Sequence, residues 1–321
     1  MPTSLEICAG AGGQALGLEQ AGFDHVAVVE IDPHACQTLR ANRPTWRVIE
    51  QDLHSFSAKE FRGKVDLFAG GVPCPPFSVA GKQLGSDDER DLFPTALRLI
   101  EECKPTAVMI ENVRGIFDPD FKPYRVAIQN RLREMGYESD WTLHNASNYG
   151  VPQLRPRAIL IGLKKKAFAH FSWPAPDLNL APTVGQVLRP YMAAAGWRGV
   201  DDWAKHASDI APTLVGGSKK HGGPDLGPSR ARRAWAQLGV EGKSLADAPP
   251  PRDFEGIPRL TIPMVARIQG FPPEWFIVGR KTAAYRQIGN AFPPPVAAAI
   301  GRKIRQALDA YAGVSAACRT A

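Results

Sequence analysis

Five short stretches carry residue types and spacings that could do chemistry. The first is LEICAGAGG at residues 5–13, where an apolar run enters a glycine cluster and then a helix-like segment. Gly10, Gly12 and Ala15 satisfy a relaxed GxGxxA spacing, and Glu30 follows Gly10 by 20 residues. That arrangement brings backbone close to a nucleotide, with an acid for the ribose hydroxyls. It fits NAD, FAD or S-adenosylmethionine, and an ordinary tight turn would use the same glycines. Asp52, after a third strand region, could bind an adenine amine. The second stretch, GGVPCPPFSVAGK at 70–82, places Cys74 in a proline-braced loop directly after a strand. Active sites of open α/β sheets lie at that edge. The third, MIENV at 109–113, ends an apolar strand with Glu111. A thiol and an acid meeting at one sheet edge suit a nucleophile and a proton donor. The fourth, YGVPQLRPR at 149–157, alternates Gln153, Arg155 and Arg157 onto one side of an extended segment. Arginines there could hold phosphates or a base carbonyl. The fifth, QIGNAFPPPV, sets Asn290 just before a Pro-led helix. Loop asparagines usually cap or turn the backbone, so Asn290 alone says little.

These side chains need elements to carry them. Strand-like runs at Ser4–Ala9, His25–Ile31, Val65–Ala69, Thr106–Ile110 and Arg157–Leu163 alternate with helical spacings. The helical segments are Gly13–Ala21, Pro33–Asn42, Leu92–Cys103 and Lys122–Met135. Alternation of this kind predicts βαβ units and a parallel sheet, an α/β fold. After Lys164 the rhythm breaks, and residues 164–258 are rich in Gly, Pro, Trp and basic residues with little periodicity. From Pro295 to about Tyr311 helical spacing returns. The division expected is a sheet domain, a small irregular domain, and a tail that returns to the first.

The chain has 321 residues, 44% apolar and 22% charged, which excludes a disordered protein. Its net charge of +7 is uneven. Residues 1–163 hold 17 Lys/Arg against 21 Asp/Glu, residues 164–258 hold 13 against 9, and residues 259–321 hold 9 against 2. A basic half on an acidic half points to a polyanion partner, with nucleic acid first and an anionic membrane second. No apolar run reaches the ~18–20 residues of a membrane span. The N-terminus, MPTSLEICAG, has no basic segment before an apolar stretch, so no signal peptide is expected. Five scattered cysteines (Cys8, Cys36, Cys74, Cys103 and Cys318) form no CxxC pair. Reduced thiols in a cytosol are expected, with neither a disulfide framework nor a zinc site.

Read in order, the segments resemble the DNA (cytosine-5-)-methyltransferases. The resemblance rests on PC with FS three residues on, then ENV, QxRxR and QIGNAFPPPV, and covers most of residues 5–163 and 259–301. It implies a Rossmann-like S-adenosylmethionine-dependent α/β fold with a small irregular target-recognition domain. The catalytic domain would be discontinuous, 1–170 with 275–321, around a recognition domain at 171–274. It implies that the Cys74 thiolate adds to carbon 6 of a flipped-out cytosine. Glu111 would bind the ring nitrogen and exocyclic amine, Arg157 the base carbonyl, and Arg155 would support the adduct. Carbon 5 would then take the methyl group. For the cofactor, Gly10 and Gly12 would form the turn beside the methionine moiety, Glu30 would hold the ribose, and Ile31 would pack on the adenine. Asp52 with Leu53 would border the adenine amine, while Pro73, Leu92 and Asn290 line the remainder. Ser78, Lys82, Gln153, Lys219, Lys220, Arg230, Arg232 and Arg233 are the expected DNA contacts.

The resemblance also implies double-stranded DNA as partner, a companion restriction endonuclease of the bacterial restriction-modification type, no metal, and a cytoplasmic monomer. Three departures stand out. Cys8 replaces a usual Phe, Pro75 a frequent Gln, and Ala80 a common Ser. Other readings are less consistent with the residues. The tRNA-methylating branch carries a Cys-Phe-Thr signature absent here. An NAD oxidoreductase leaves Cys74, Glu111 and the QxRxR run unexplained. A DNA-binding module without activity would need neither Cys74 nor Glu111.

Overall fold

Seven strands make one sheet: β1 (Thr3–Ile7), β2 (Asp24–Glu30), β3 (Val48–Glu50), β4 (Leu67–Gly71), β5 (Ala107–Val113), β6 (Tyr137–Asn145) and β7 (Pro156–Lys164). This computed structural model describes residues 1–73, 91–216 and 223–320, with side chains up to Gly313. The strand order is β3-β2-β1-β4-β5-β7-β6. Neighbours from β3 through β5 are parallel, as the βαβ rhythm predicts. The wholly parallel expectation fails at β7, which runs antiparallel to both β5 and β6. The link from β6 to β7 spans only residues 146–155. That is short for a parallel crossover, so the chain turns back as a hairpin.

Period-2 alternation gives the sheet two apolar faces. Phe68, Val108, Ile110 and Leu160 face one side with Leu99 and Ile100. Leu67, Met109, Ile159 and Ile161 face the other with Leu18, Ile300 and Ile304. On the first side lie α3 (Phe93–Cys103) and α4 (Lys122–Glu134); on the second lie α1 (Gly13–Gln20) and the long C-terminal helix (Pro294–Thr320). The second pair packs backbone to backbone. A Cβ on Gly17 would come within 2.4 Å of the Pro294 carbonyl. Beside β2 lies α2 (Pro33–Asn42), which begins with Pro33 and is capped by Asp32 accepting the His34 N–H at 2.9 Å.

Beyond the sheet, short helices build a further core. They are α5 (Lys165–Phe168), α6 (Val184–Met192), α7 (Val200–His206), α8 (Ser229–Gln237), α9 (Ile262–Ile268) and α10 (Lys281–Asn290), ahead of the C-terminal helix, α11. Leu188, Trp203, Leu214, Trp235, Met264 and Phe271 pack there, joined by Trp275, Tyr285 and Ile288. Helices of two turns separated by Pro and Gly show little periodicity, which is why the region reads as irregular. Residues 275–290 therefore share this core while α10 also borders the sheet edge.

Candidate active site

The strand order reverses between β1 and β4, and the crevice at their carboxyl ends is where such sheets bind ligands. The β1–α1 turn is wound by three left-handed residues, Cys8 (φ 50), Gly10 (φ 53) and Gly12 (φ 82). The two glycines do different work. A Cβ on Gly10 would meet nothing within 4 Å, so its backbone borders open space. A Cβ on Gly12 would strike Leu39 and Trp275, so Gly12 lets the turn pack. Glu30 closes the turn from β2: its carboxylate accepts the Gly10 N–H at 2.7 Å and the Ile31 and Asp32 N–H groups at 2.8 Å. Asp32 in turn pairs with Arg286 of α10 at 3.0 Å.

A cavity of about 300 Å³ opens here. Of the residues expected at the site, Gly10, Glu30, Ile31, Asn290 and Glu111 lie on its wall. Ile31 is 57% exposed, an apolar platform on this wall. Gly12, Asp52, Leu53, Pro73 and Leu92 are not on that wall among the described residues. Asp52 is exposed and accepts the His54 N–H at 2.9 Å, while Leu53 is buried in the sheet-face core. Pro73 is exposed and Leu92 half-buried at the start of α3.

Sequence reasoning missed Glu6 and Gln14, which also line the cavity. Both are buried, and Glu6 Oε2, Gln14 Nε2 and Gln14 Oε1 find no hydrogen-bond partner among the described residues. The available signal was polarity at two apolar positions, one inside a strand and one on the inner face of α1. Burial pushes the Glu6 carboxyl well above its ordinary range, with Glu30 adding to the rise. Cys8 lines the same wall, and burial with the Glu30 and Glu6 charges drives its thiol far upward. It is therefore a neutral contact and not a nucleophile. Cys36 and Cys103 are likewise buried, both pushed up to about 12.

Glu111 reaches the cavity from the end of β5, opposite Gly71 of β4. A Cβ at Gly71 would lie 3.0 Å from Glu111 Oε2, so the glycine leaves room for the carboxylate. Arg157 Nε meets Glu111 Oε1 at 2.8 Å. Burial raises the Glu111 carboxyl above its usual value, against the pull of Arg157 and Arg155. An acid so placed keeps its proton more readily than a solvated carboxyl and can donate it. Next to it, Asn112 donates to the Val72 carbonyl at 3.1 Å and pins the chain two residues before Cys74.

Arg155 and Gln153 are fully buried. The Arg155 guanidinium donates to the carbonyls of Leu214 (2.8 Å), Gly289 (2.7 Å) and Ala291 (3.1 Å). Gln153 accepts the Leu214 N–H at 2.9 Å and donates to Gln269 Oε1 at 2.9 Å and the Ile268 carbonyl at 3.2 Å. These two side chains join the end of β7 to the 211–216 segment and the α9 and α10 ends. On α8, anchored by fully buried Trp235, Arg230 and Arg233 are exposed and Arg232 is half-buried. Cys74, Ser78, Lys82, Lys219 and Lys220 lie outside the described residues. Among the described residues, no group of three His, Cys, Asp or Glu is placed to share a metal, and no helix is long and apolar enough to cross a membrane.

An open α/β sheet with an acid-lined crevice at its switch point and a buried Glu–Arg pair beside it has the architecture of a nucleoside-binding α/β protein. The description "C-5 cytosine-specific DNA methylase" matches residues 3–306, and the chain belongs to that family. It is a DNA (cytosine-5-)-methyltransferase, with DNA as its substrate. It is 58% identical over 311 residues to the type II methyltransferase M.NaeI of Lentzea aerocolonigenes, covering 95% of this chain and 75% of that one. It is 52% identical over 313 residues to type II methyltransferase M.NgoMIV of Neisseria gonorrhoeae, covering 95% and 98%. The structure of the S. pombe Dnmt2 methyltransferase superposes with a TM-score of 0.65 at 18% identity, covering 96% and 100%. At that identity the likeness is one of fold alone. Methyltransferases of this family use S-adenosylmethionine, and the wall fits such a molecule: Glu30 suits a ribose, Ile31 a flat base, and the unpaired Glu6 and Gln14 atoms a polar tail.

Proposed function

We propose that this enzyme methylates carbon 5 of a cytosine within one short double-stranded DNA site, as a type II modification methyltransferase. The observation that carries the reading is that Glu111 and Glu30 share one cavity. The proton-handling acid and the ribose-binding acid thus face a common chamber, which is what transfer between a nucleoside cofactor and a base demands.

S-adenosylmethionine, when bound, supplies an electrophilic methyl group. Gly10, Gly12, Glu30 and Ile31 would hold it along the crevice, with Asp52 and Leu53 bordering its adenine amine and Pro73, Leu92 and Asn290 lining the remainder. Cys74 adds as a thiolate to carbon 6 of the cytosine. Glu111 places a proton at the ring nitrogen as the thiolate adds, so the electron pair of the broken 5,6 double bond becomes available at carbon 5, which takes the methyl group. Arg157 keeps the Glu111 carboxyl in line and faces the base carbonyl. Arg155 holds the recognition segment against the site. Loss of the carbon 5 proton and expulsion of Cys74 end the cycle. The cytosine leaves the duplex to reach this pocket.

The recognition region spans 171–274, with the catalytic region at 1–170 and 275–321. Arg230, Arg232 and Arg233, with Lys219 and Lys220, hold phosphates, and Ser78 and Lys82 approach the DNA from the segment after Cys74. The enzyme works as a cytoplasmic monomer, needs no metal, and protects its site from a companion endonuclease. The test uses duplex DNA with 5-fluorocytosine at the target plus S-adenosylmethionine. A covalent protein–DNA complex should form and should vanish with Cys74→Ala; a complex that persists in the variant overturns the nucleophile.

A further inference from the structure

Arg286, in α10, is the single Lys or Arg that the described residues place on the cavity wall, which also carries Glu6, Glu30, Asp32 and Glu111. Its Nη2 meets Asp32 Oδ2 at 3.0 Å, and the two side chains are 21% and 17% exposed. Asp32 is tied at three points. Its N–H donates to Glu30 Oε1 at 2.8 Å, its Oδ1 accepts the His34 N–H at 2.9 Å as the cap of α2, and its Oδ2 meets Arg286. Ile31 lies between Glu30 and Asp32, its N–H bonded to the same Glu30 oxygen. The 30–32 segment is thus braced from within by Glu30 and from α10 by Arg286. Helix α10 is itself locked to α2, since Gln287 accepts the Thr38 hydroxyl at 2.7 Å and donates to the Val278 carbonyl at 2.7 Å. The backbone of Arg286 also meets the recognition segment: a Cβ on Gly216 would come within 2.7 Å of its carbonyl oxygen. One residue therefore touches the 211–216 segment with its backbone and the 30–32 segment with its side chain.

We propose that Arg286 is a positioning residue for the methyl donor, its ion pair with Asp32 holding the Glu30–Ile31–Asp32 segment against α10. A partly exposed ion pair adds little to stability, but one that fixes a binding segment raises affinity by sparing the ligand the cost of ordering it. Arg286 acts through Asp32. Because Glu30 suits the ribose and Ile31 the adenine, its effect belongs to the adenosine end of the ligand. The inference rests on the reading of the cavity as the S-adenosylmethionine site.

Two probes share the adenosine end and differ in the tail: S-adenosylhomocysteine and 5′-methylthioadenosine. Calorimetric titration of the full chain should show Arg286→Met weakening both by one factor, about 3- to 10-fold, the range of a partly buried charge-assisted contact. The pair uses one guanidinium nitrogen, so Arg286→Lys should bring both probes to within about twofold of wild type. Asp32→Asn keeps the α2 cap and drops the charge. It should cost the same factor, and Arg286→Met added to it should cost nothing more. It also carries the test if the methionine variant does not fold. Loss of neither probe, loss of S-adenosylhomocysteine alone, a lysine variant as weak as the methionine one, or additive losses in the double variant each overturns the role of Arg286. A wild-type chain that binds neither probe overturns the cofactor reading beneath it.

Discussion

Glu111 and Glu6 are both acids at the inner end of a strand, and their partners set them apart. Glu111 faces the Arg157 guanidinium at 2.8 Å; among the described residues Glu6 faces no cation. Burial raises both. Glu111 is needed to manage a proton, so Glu111→Gln should lower the methyl-transfer rate by about 10²–10⁴ in single-turnover assays. Glu6 makes a prediction for stability. The folded chain holds the Glu6 proton more tightly than the unfolded chain does. Its favourable contribution is complete below the ordinary carboxylate range and is lost as pH rises through its raised folded value. Without cofactor, Glu6→Gln should therefore flatten the fall of Tm above about pH 5 and raise Tm at pH 8, measured by scanning calorimetry. A steeper fall in the variant would contradict the burial argument. Glu6 is then an acid kept on the cavity wall at a cost in stability.

At the scale of elements, the joint between α10 and the 211–216 segment matters most. A Cβ on Gly289 would lie 2.5 Å from the Gly216 Cα, and one on Gly216 would lie 2.5 Å from Asn290 Oδ1. Two glycines thus let the recognition segment lie against the helix that walls the cavity, and Arg155 fastens both by their carbonyls. Gly289→Ala should destabilise the fold by about 1–3 kcal/mol in urea titrations, since neither backbone can yield cheaply. An unchanged midpoint would show that the crossing is looser. The glycines and asparagine of QIGN are visible in the sequence, but the segment they meet is some 70 residues away and nothing local announces it. The same holds for β6 and β7. The strand at Arg157–Leu163 is legible in the sequence and β6 is not, and their antiparallel hairpin depends on the short return between them, which breaks the expected run of parallel strands.

For the whole molecule, charge is the feature that tertiary structure reassigns. Much of the basic tail is spent inside the chain. Arg286 pairs with Asp32, Lys281 with Asp247, and Arg305 reaches the Ala21 carbonyl and Asp309. By contrast, α8 turns Arg230 and Arg233 outward from its Trp235 anchor. Each phosphate neutralised adds about 0.9 to the slope of log K against log salt. Replacing Arg230, Arg232 and Arg233 by Ala should flatten that slope by roughly 2–3 and weaken DNA binding across sequences alike. An unchanged slope would remove α8 from the DNA interface.

The sequence by itself determined the family, the order of most strands and helices, and the acids that meet at the cavity. Those properties are local: a strand that ends in Glu, a glycine turn ahead of a helix, a carboxylate 20 residues on. Tertiary structure alone decided that Arg155 and Gln153 are buried joints, that Gln14 and Glu6 face the crevice unpaired, and that short helices give the irregular region a core. Burial and partnership are relations between distant segments. They come into being only when the 211–216 segment, α10 and the β1–α1 turn close on one another.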